Sequence, residues 1–247
     1  MIVCIPSKGR PTTKAHELFE AVGLEVFHFV EPQEAKDYGH LKNVVNIGAS
    51  DQGIGFVRNF MLSWAQARGD EWVIFCDDDV TAFYKYENGK NTRTSADIWI
   101  KILEKAKKTP FEMFGISYKQ NIWYDHLSSF SINAKFVEVC VLVNVKKINW
   151  AYRPWFNLKE DRDFCMQTIK NGAGIVRFNR IGVCCPDVGT NAGGLNEEYK
   201  IKKDAVAAKR IKQEYGEFVD IVEKLGRVEA KFDITGFAKK HGKKVVV

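Results

Sequence analysis

Short apolar runs alternate with amphipathic segments over the first 80 residues of the chain. The apolar runs at 2–6, 24–30, 43–47 and 72–76 predict buried strands. Between them, apolar residues three or four positions apart predict two helices, from Thr12 or Thr13 to about Val22 and from about Phe56 to Arg68. This strand–helix alternation predicts a parallel sheet with right-handed crossovers.

The later part of the sequence has a less regular pattern. Further strands are predicted at 113–118, at 175–179 and at 134–145, the last long enough to pair antiparallel at the sheet edge. The apolar pattern continues after the second of these over 181–185. Helices are predicted from Ser95 to about Lys107 and from the acidic segment 158–164 to Asn171, with polar or aromatic loops elsewhere. Residues 197–225 have a charged helical pattern, and the basic tail 239–244 is expected to be poorly ordered.

These elements predict an α/β fold with a mostly parallel, Rossmann-like sheet flanked by helices. We expect one domain over residues 1–195 and a C-terminal helical extension over residues 196–247. The length of 247 residues suits one large domain with such an appendage.

Composition places the chain among globular proteins. Its hydrophobic content is 45% and its charged content 28%, and no apolar run approaches the ~20 residues that span a bilayer. The N-terminus opens directly into a strand rather than a signal segment, so no membrane partner is expected. The net charge of +6 favours anionic partners such as nucleotide-sugars or nucleic acid. Six cysteines without zinc spacing predict a reducing, cytoplasmic location.

Three consecutive carboxylates, Asp77, Asp78 and Asp79, follow the apolar run at 72–76. Side chains two apart on a strand face the same side, so Asp77 and Asp79 are expected to point together and Asp78 away. Ligands of open α/β sheets bind at the carboxyl ends of the strands. Paired carboxylates there fit a hard divalent cation that holds a substrate diphosphate. A helix cap or a solvated turn is the alternative use of these residues.

Three further motifs accompany the aspartates: IPSKGRP at 5–11, GFVRN at 55–59, and the acidic pair Glu160 and Asp161. Together the four motifs resemble the GT-A fold of nucleotide-sugar-dependent glycosyltransferases. The aspartates take the place of its D-x-D motif, and Glu160 and Asp161 take the place of the acidic motif that supplies the base in inverting members. The set is similar to the bacteriophage glycosyltransferases found beside TET/JBP dioxygenases, thought to sugar-modify hydroxymethylated pyrimidines in DNA.

This resemblance, over about residues 1–195, implies a nucleotide-sugar donor, expected to be a UDP-sugar, and Mn²⁺ or Mg²⁺ held by Asp79 and Asp77. The residues expected to bind the donor lie at strand ends and at one helix start: Pro6, Ser7, Arg10, Glu31, Arg58, Asp77 and Asp78. A surface ion pair is the alternative for Arg58.

The expected catalytic residues are Asp161, as the general base, and Glu160. An acceptor hydroxyl is a poor nucleophile until a carboxylate takes its proton. The alternative for Glu160, Asp161 and Asp163 is the commoner use of acidic residues at a helix N-terminus, where they interact favourably with the helix dipole. In a retaining enzyme, Asp161 would position the substrate instead of acting as a base. Phe164 and Cys165 are expected to bury the other side of this helix.

Aromatic and basic residues are expected on the acceptor side. Stacking faces for an extruded base, with a cation for phosphate, are expected from Trp123, Tyr124, Trp155 and Arg153. Core packing is the alternative for each aromatic ring. The glycine-containing loop 187–194 is expected either to close over the donor phosphates or to serve as a plain turn.

The leading hypothesis is a metal-dependent glycosyltransferase that acts on 5-hydroxymethylpyrimidine in DNA, such as 5-hydroxymethylcytosine, in the host cytoplasm if phage-encoded. The alternatives are the same fold acting on a saccharide or small-molecule acceptor, a nucleotidyltransferase, and an inactive nucleic-acid-binding module.

Overall fold

The computed structural model describes residues 1–154, 158–186, 203–224 and 227–242. Within these residues, ten strands form one sheet and two more form a separate hairpin. Three strands, β5 (Ala82–Glu87), β8 (Phe130–Ile132) and β9 (Cys140–Asn144), run opposite to the other seven of the large sheet. The mostly parallel sheet flanked by helices is therefore confirmed.

The first half of the sheet matches the predicted alternation. Four parallel strands stand in the order β3-β2-β1-β4, joined through two crossover helices. The elements are β1 (Ile2–Pro6), α1 (Lys14–Glu20), β2 (Glu25–Val30), β3 (Val44–Asn46), α2 (Ile54–Ala67) and β4 (Trp72–Cys76). Thr13 caps α1, because its side-chain oxygen accepts a hydrogen bond from the backbone N–H of His16.

The second half continues the sheet from β4 in the order β9-β7-β10-β5-β6, with β8 paired to β10. Its elements are β5 (Ala82–Glu87), β6 (Lys90–Thr94), α3 (Ile98–Ala106), β7 (Met113–Tyr118), α4 (Lys119–Asp125), β8 (Phe130–Ile132), β9 (Cys140–Asn144), α5 (Glu160–Lys170) and β10 (Ile175–Cys184). The helices α3 and α5 and the strands β7 and β10 confirm the predictions for those segments.

Three predictions for this half are wrong. The region before Ser95 is a hairpin rather than a polar loop, because Asn88 and Gly89 both adopt positive φ and allow a tight turn between β5 and β6. The predicted strand 134–145 is restricted to β9, and β9 lies between β4 and β7 instead of at the edge. The aromatic connection at 121–126 belongs mostly to helix α4.

Each face of the sheet carries its own hydrophobic cluster. Ile2 and Cys4 of β1 face the cluster that includes α2 and α5, whereas Val3 and Ile5 face the cluster that includes α1 and α3. This alternation follows from the two-residue period of a strand, and burial on both faces explains the continuous apolar runs. None of the described helices is long and apolar enough to cross a membrane.

The C-terminal extension joins the cluster on the α5 face. It consists of α6 (Lys203–Tyr215), the hairpin β11 (Val219–Lys224) and β12 (Arg227–Phe232), and α7 (Ile234–His241). The α-helix ends at Tyr215 and is followed by a 3₁₀ turn at Gly216–Phe218. The helical prediction through residue 225 is wrong from Val219 onward, because these residues pair as strands. Tyr215 and Phe237 are buried with α5, and Lys239 to His241 complete α7, although this tail was expected to be poorly ordered.

Candidate active site

The loop after β1 is bonded to the aspartates after β4, since β1 and β4 are neighbours. The buried carboxylate of Asp78 accepts hydrogen bonds from Ser7 Oγ at 2.8 Å and from Arg10 Nη1 at 2.5 Å. The same Arg10 nitrogen lies 3.9 Å from Asp79. Burial raises the pKa of Asp78, while Arg10 and Ser7 act against that rise. Of the predicted donor residues, Ser7, Arg10 and Asp78 therefore form one cluster.

Glu31 organises a neighbouring loop at the end of β2. Its buried carboxylate accepts hydrogen bonds from Lys8 Nζ at 2.8 Å, from Gln33 Nε2 at 2.6 Å and from the backbone N–H of Asp51 at 2.9 Å. These bonds tie three segments together at the carboxyl ends of β1 and β2. Glu31 accordingly shapes the edge of the site, and its predicted contact with the donor stays a prediction.

Arg58, on α2, connects the aspartates with the start of α5. Its guanidinium donates to Asp77 at 2.6 Å and lies 3.1 Å from a carboxylate oxygen of Glu160. The side chains of Arg58 and Glu160 are only 11% and 5% exposed. Burial by itself lowers the pKa of Arg58, but Asp77 and Glu160 outweigh it and raise the pKa. Arg58 is thus a buried ion-pair partner rather than a surface one.

Asp77 and Asp161 line the same small cavity of about 10 Å³, which we call the Asp77 cavity. This volume is room for about one water molecule. Pro6 and Arg58 line it as well, so the ends of β1 and β4, the helix α2 and the start of α5 meet here. The sequence prediction that the acidic motif faces the strand-end aspartates is consistent with this arrangement.

The first turn of α5 holds its acidic residues in three different environments. Glu160 is buried beside Arg58, Asp161 is partly exposed at the Asp77 cavity, and Asp163 is fully buried on the other side. Phe164 and Cys165 are fully buried and anchor the helix on the sheet, as predicted. The helix begins after Lys159, whose backbone adopts a left-handed φ of 67°.

Carboxylates crowd the Asp77 cavity. Burial raises the pKa of Asp77 to about 6, against the opposing effect of Arg58 and with added repulsion from Asp79 and Asp161. Burial also raises the pKa of Glu160, again opposed by Arg58 and increased by Asp161. Several acids therefore share one arginine at the Asp77 cavity, and burial favours their protonated forms.

The donor atoms at this position are all carboxylate oxygens, which suit Mg²⁺ or Mn²⁺ rather than a soft metal. In the described part of the chain, no three Asp, Glu, His or Cys side chains come together as a ligand set. Mg²⁺ sites often use one or two carboxylates and take their remaining ligands from water and substrate phosphate. Asp77 and Asp79 have the oxygen atoms for that kind of site, but Asp77 pairs with Arg58 while Asp79 lies 3.9 Å from Arg10. A metal shared by the two carboxylates therefore stays a prediction.

The predicted acceptor residues that the structure describes lie in different surroundings. Trp123 and Tyr124 are 58% and 78% exposed on α4. Arg153 is held by the buried carboxylate of Asp163 and by Glu214 at 2.8 Å, so it serves as an ion-pair partner inside the fold. Trp155 and the loop 187–194 lie outside the described residues.

Two residues of the site were missed by sequence reasoning. Tyr38 is fully buried, and its hydroxyl lies 2.9 Å from Ser7 Oγ and accepts from the backbone N–H of Arg10 at 3.0 Å. Glu138 lines the Asp77 cavity. Neither residue belongs to a recognisable motif, so no signal in a single sequence pointed to them. Tyr152, from the aromatic segment expected on the acceptor side, also lines the cavity and stacks on Phe164 with centroids 3.9 Å apart.

Comparison with known proteins gives the family. Residues 1–194 match the profile of the TET-associated glycosyltransferase (TAGT) family, and this match spans every motif described above. The chain belongs to the TET-associated glycosyltransferase family. It is therefore a glycosyltransferase, and the expected GT-A-like fold agrees with the mostly parallel sheet. No curated protein matches the chain.

Several solved structures resemble this TAGT protein at low identity. A197 from STIV is 14% identical, with 75% of this chain and 84% of that chain covered and a TM-score of 0.42. CMP:2-keto-3-deoxy-manno-octonic acid synthetase complexed with CTP is 8% identical, with 72% and 88% covered and a TM-score of 0.43. A protein described as a nucleotide-diphospho-sugar transferase, from Desulfovibrio desulfuricans G20, is 10% identical, with 72% and 80% covered and a TM-score of 0.38. Likenesses this weak carry no argument about function.

Proposed function

We propose that this TAGT protein transfers a sugar from a nucleoside-diphosphate donor, a UDP-sugar, to the hydroxymethyl group of a pyrimidine in DNA. The observation that supports this most is the meeting of Asp77 and Asp161 at one cavity. Glycosyl transfer needs one group beside the departing diphosphate and another beside the attacking hydroxyl. The two carboxylates stand at the ends of two different elements and suit these two tasks.

The donor side of the proposal rests on the loop after β1. Ser7 and Arg10 hold Asp78 in a fixed position, so Asp78 orients this loop at the strand ends. Open α/β sheets bind their ligands at this edge. We assign the nucleotide to the edge formed by Pro6, Ser7, Arg10 and Glu31, next to the aspartates.

Asp79 and Asp77 would hold Mn²⁺ or Mg²⁺ together with the donor diphosphate. When bound, such a cation stabilises the negative charge that develops on the leaving group. Arg58 keeps the Asp77 carboxylate in place and has Glu160 as its second partner. Because Arg58 is enclosed by these acids, its role is to position them rather than to bind phosphate.

Asp161 is the residue that would take the acceptor proton. It is partly exposed, and one of its oxygens accepts the backbone N–H of Arg162 at 2.7 Å. Glu160 is buried against Arg58 and therefore supports the helix start instead of contacting substrate. Of the two predicted catalytic acids, we assign the base role to Asp161 and a positioning role to Glu160.

The DNA acceptor is supported by the family and by charge. The family is named for its association with TET enzymes, and its phage members are thought to modify hydroxymethylated pyrimidines. The net charge of +6 favours a polyanionic acceptor over a neutral saccharide.

The test is to incubate the protein with hydroxymethylated DNA, Mn²⁺ and a panel of nucleotide-sugars, and to analyse the nucleosides by mass spectrometry. The expected product carries one added sugar, appears with release of nucleoside diphosphate, and is lost when EDTA removes the metal. Transfer to saccharides alone would overturn the DNA acceptor. Release of pyrophosphate from a nucleoside triphosphate, without sugar transfer, would favour a nucleotidyltransferase instead.

A further inference from the structure

A second pocket, of about 420 Å³, lies beside the Asp77 cavity. Its volume is in the range of about 300–1,000 Å³ that is usual for ligand pockets. We call it the Arg162 pocket, and the residues that define its chemistry are Lys135, Phe136, Glu138, Arg162, Arg177 and Phe232. Lys135, Phe136 and Glu138 come from the loop between β8 and β9, Arg162 from α5 and Arg177 from β10. Phe232 comes from the C-terminal extension, which therefore completes this pocket.

Two aromatic rings and a guanidinium are grouped in the Arg162 pocket. The rings of Phe136 and Phe232 meet edge to face, with centroids 4.9 Å apart. The guanidinium of Arg162 lies 5.6 Å from the Phe136 centroid and 6.0 Å from the Phe232 centroid. Grouped aromatic and guanidinium planes are the surfaces on which nucleobases stack.

Positive charge predominates in the pocket. Lys135 is exposed at its edge, whereas Arg177 is 8% exposed and donates to Asn179 at 3.1 Å. The acid Glu138 is engaged from both sides, by Arg162 at 2.5 Å and by the hydroxyl of Tyr118 at 3.3 Å. The other lining acid, Asp233, accepts the backbone N–H of Gly236 as the cap of α7. The pocket therefore favours an anion, such as phosphate, next to a flat ring.

The Arg162 pocket adjoins the proposed catalytic centre. Glu138 lines both the Arg162 pocket and the Asp77 cavity. Asp161 lines the cavity and the next residue, Arg162, lines the pocket, so the first turn of α5 separates the two spaces. The pocket and the proposed catalytic centre therefore share a wall formed by Glu138 and the first turn of α5.

We propose that the Arg162 pocket binds the acceptor as a pyrimidine nucleotide. Its ring stacks on Phe232 and meets the edge of Phe136, because these two rings stand at 77° to each other. Its phosphate is met by Lys135 and Arg177. Naming the ligand as the acceptor rests on the function proposed above, whereas the recognition of a nucleotide rests on the pocket alone. The nucleotide comes either from a DNA strand or from the free pool, and the two sources share this chemistry.

Calorimetric titration of the full chain tests this assignment. The probes are 5-hydroxymethyl-2′-deoxycytidine 5′-monophosphate, the same nucleoside without phosphate, and the same nucleotide inside a single strand of about 12 residues. We expect the monophosphate to bind at least fivefold more tightly than the nucleoside. Phe232→Leu keeps an apolar side chain but removes a stacking face and should weaken the Kd about tenfold.

Lys135→Glu provides a second variant that does not threaten folding, because Lys135 is exposed. It should weaken monophosphate binding about fivefold and leave nucleoside binding unchanged. The matched control is Lys108→Glu, an equally exposed lysine just after α3 that does not line the pocket, and it should change neither value. Circular dichroism verifies that each variant is folded. If Phe232→Leu does not fold, the binding measurements on Lys135→Glu alone test the assignment.

Equal binding of monophosphate and nucleoside, or unchanged binding in both pocket variants, would overturn the assignment. Tighter binding of the single strand than of the monophosphate assigns the pocket to a DNA unit, and equal binding assigns it to free nucleotide. If the wild-type protein binds the monophosphate, the variants weaken it, and no sugar transfer occurs, the proposed function fails while the pocket assignment stands. If sugar transfer to hydroxymethylated DNA occurs and neither variant changes its rate, the proposed function stands and the pocket assignment fails.

Discussion

The guanidinium of Arg58 reaches Glu160 across 3.1 Å, although about a hundred residues separate them in the chain. Through its other nitrogen the same side chain donates to Asp77. One buried cation thus joins the motif after β4 to the motif that begins α5. This contact fixes the position of Asp77, proposed for the donor side, relative to the helix start that carries Asp161, proposed for the acceptor side.

Arg58→Met should destabilise the protein strongly. The substitution keeps much of the apolar stem but leaves Asp77 and Glu160 without their cation, and breaking a buried ion pair costs about 3–5 kcal/mol. Urea unfolding measures the loss, and glycosyl transfer should fall with it. The matched control is Lys14→Met, which breaks the exposed pair with Glu17 and should change stability by about 0.5 kcal/mol or less. Equal effects of the two substitutions would contradict the assigned role.

Asp161→Asn should lower kcat by about 10²–10⁴, because a carboxamide accepts no proton from the acceptor. Donor affinity should stay within about twofold of wild type, since Asp161 is assigned to the acceptor side. Steady-state kinetics and calorimetry with a nucleoside diphosphate measure the two quantities. Full activity in this variant would remove Asp161 from the catalytic role.

Asp163→Asn, two residues further along the same helix, should affect stability instead. The Asp163 carboxylate is fully buried, pairs with Arg153 and accepts from the hydroxyl of Tyr215 at 2.6 Å. Its neutralisation leaves Arg153 short of a partner and should cost about 3 kcal/mol in urea unfolding. At a temperature where the variant is folded, kcat should remain near wild type. A large fall in kcat without a loss of stability would be the contrary result.

Stability should decrease in acid through His28. Burial lowers the pKa of this histidine to about 4, with further lowering from His16, whose Nδ1 lies 3.1 Å from His28 Nε2. The unfolded chain, with an ordinary pKa of about 6.5, binds more protons between pH 6.5 and 4. The contribution of the neutral, buried His28 to the free energy of unfolding is therefore present in full above pH 6.5 and is lost as the pH falls toward 4. Its total is about 3 kcal/mol, at about 1.4 kcal/mol for each pH unit.

Urea unfolding at several pH values measures this dependence. His28→Gln should flatten the change between pH 6.5 and 4, whereas His241→Gln, at an exposed position of α7 that does not act on His28, should leave the slope as it is. If the wild-type slope persists in His28→Gln, the acid sensitivity comes from another group.

The strands and helices with a regular apolar pattern were predictable from the sequence, because hydrophobic burial alone determines where they form. The buried runs of β1 and β4 and the apolar stripe of α2 follow from hydrophobic burial alone. The motif Asp77–Asp79 was also located correctly, since the end of a buried strand marks the edge of the sheet. The hairpin at β5 and β6 was predictable too, because Asn88 and Gly89 form a strong turn signal that sequence reasoning overlooked.

Other features depend on tertiary partners that a single sequence does not name. Arg153 reads as a free cation in an aromatic loop, but Asp163 and Glu214 pair with it in the folded chain. β9 reads as an edge strand, yet its five buried residues place it inside the sheet. Residues 219–224 carry a charged pattern compatible with a helix, and only their pairing with β12 makes them a strand.

Phe232 and Asp233 lie beyond residue 194, where the family match ends, yet they close one wall of the Arg162 pocket. Changes in this wall would reach the incoming substrate while leaving Ser7, Arg10, Asp77 and Asp78 intact. If the pocket takes the acceptor as proposed, the donor side of the reaction belongs to the family domain and the recipient side is completed by an appended segment. Replacing that segment is then expected to change which acceptor receives the sugar while leaving the donor unchanged.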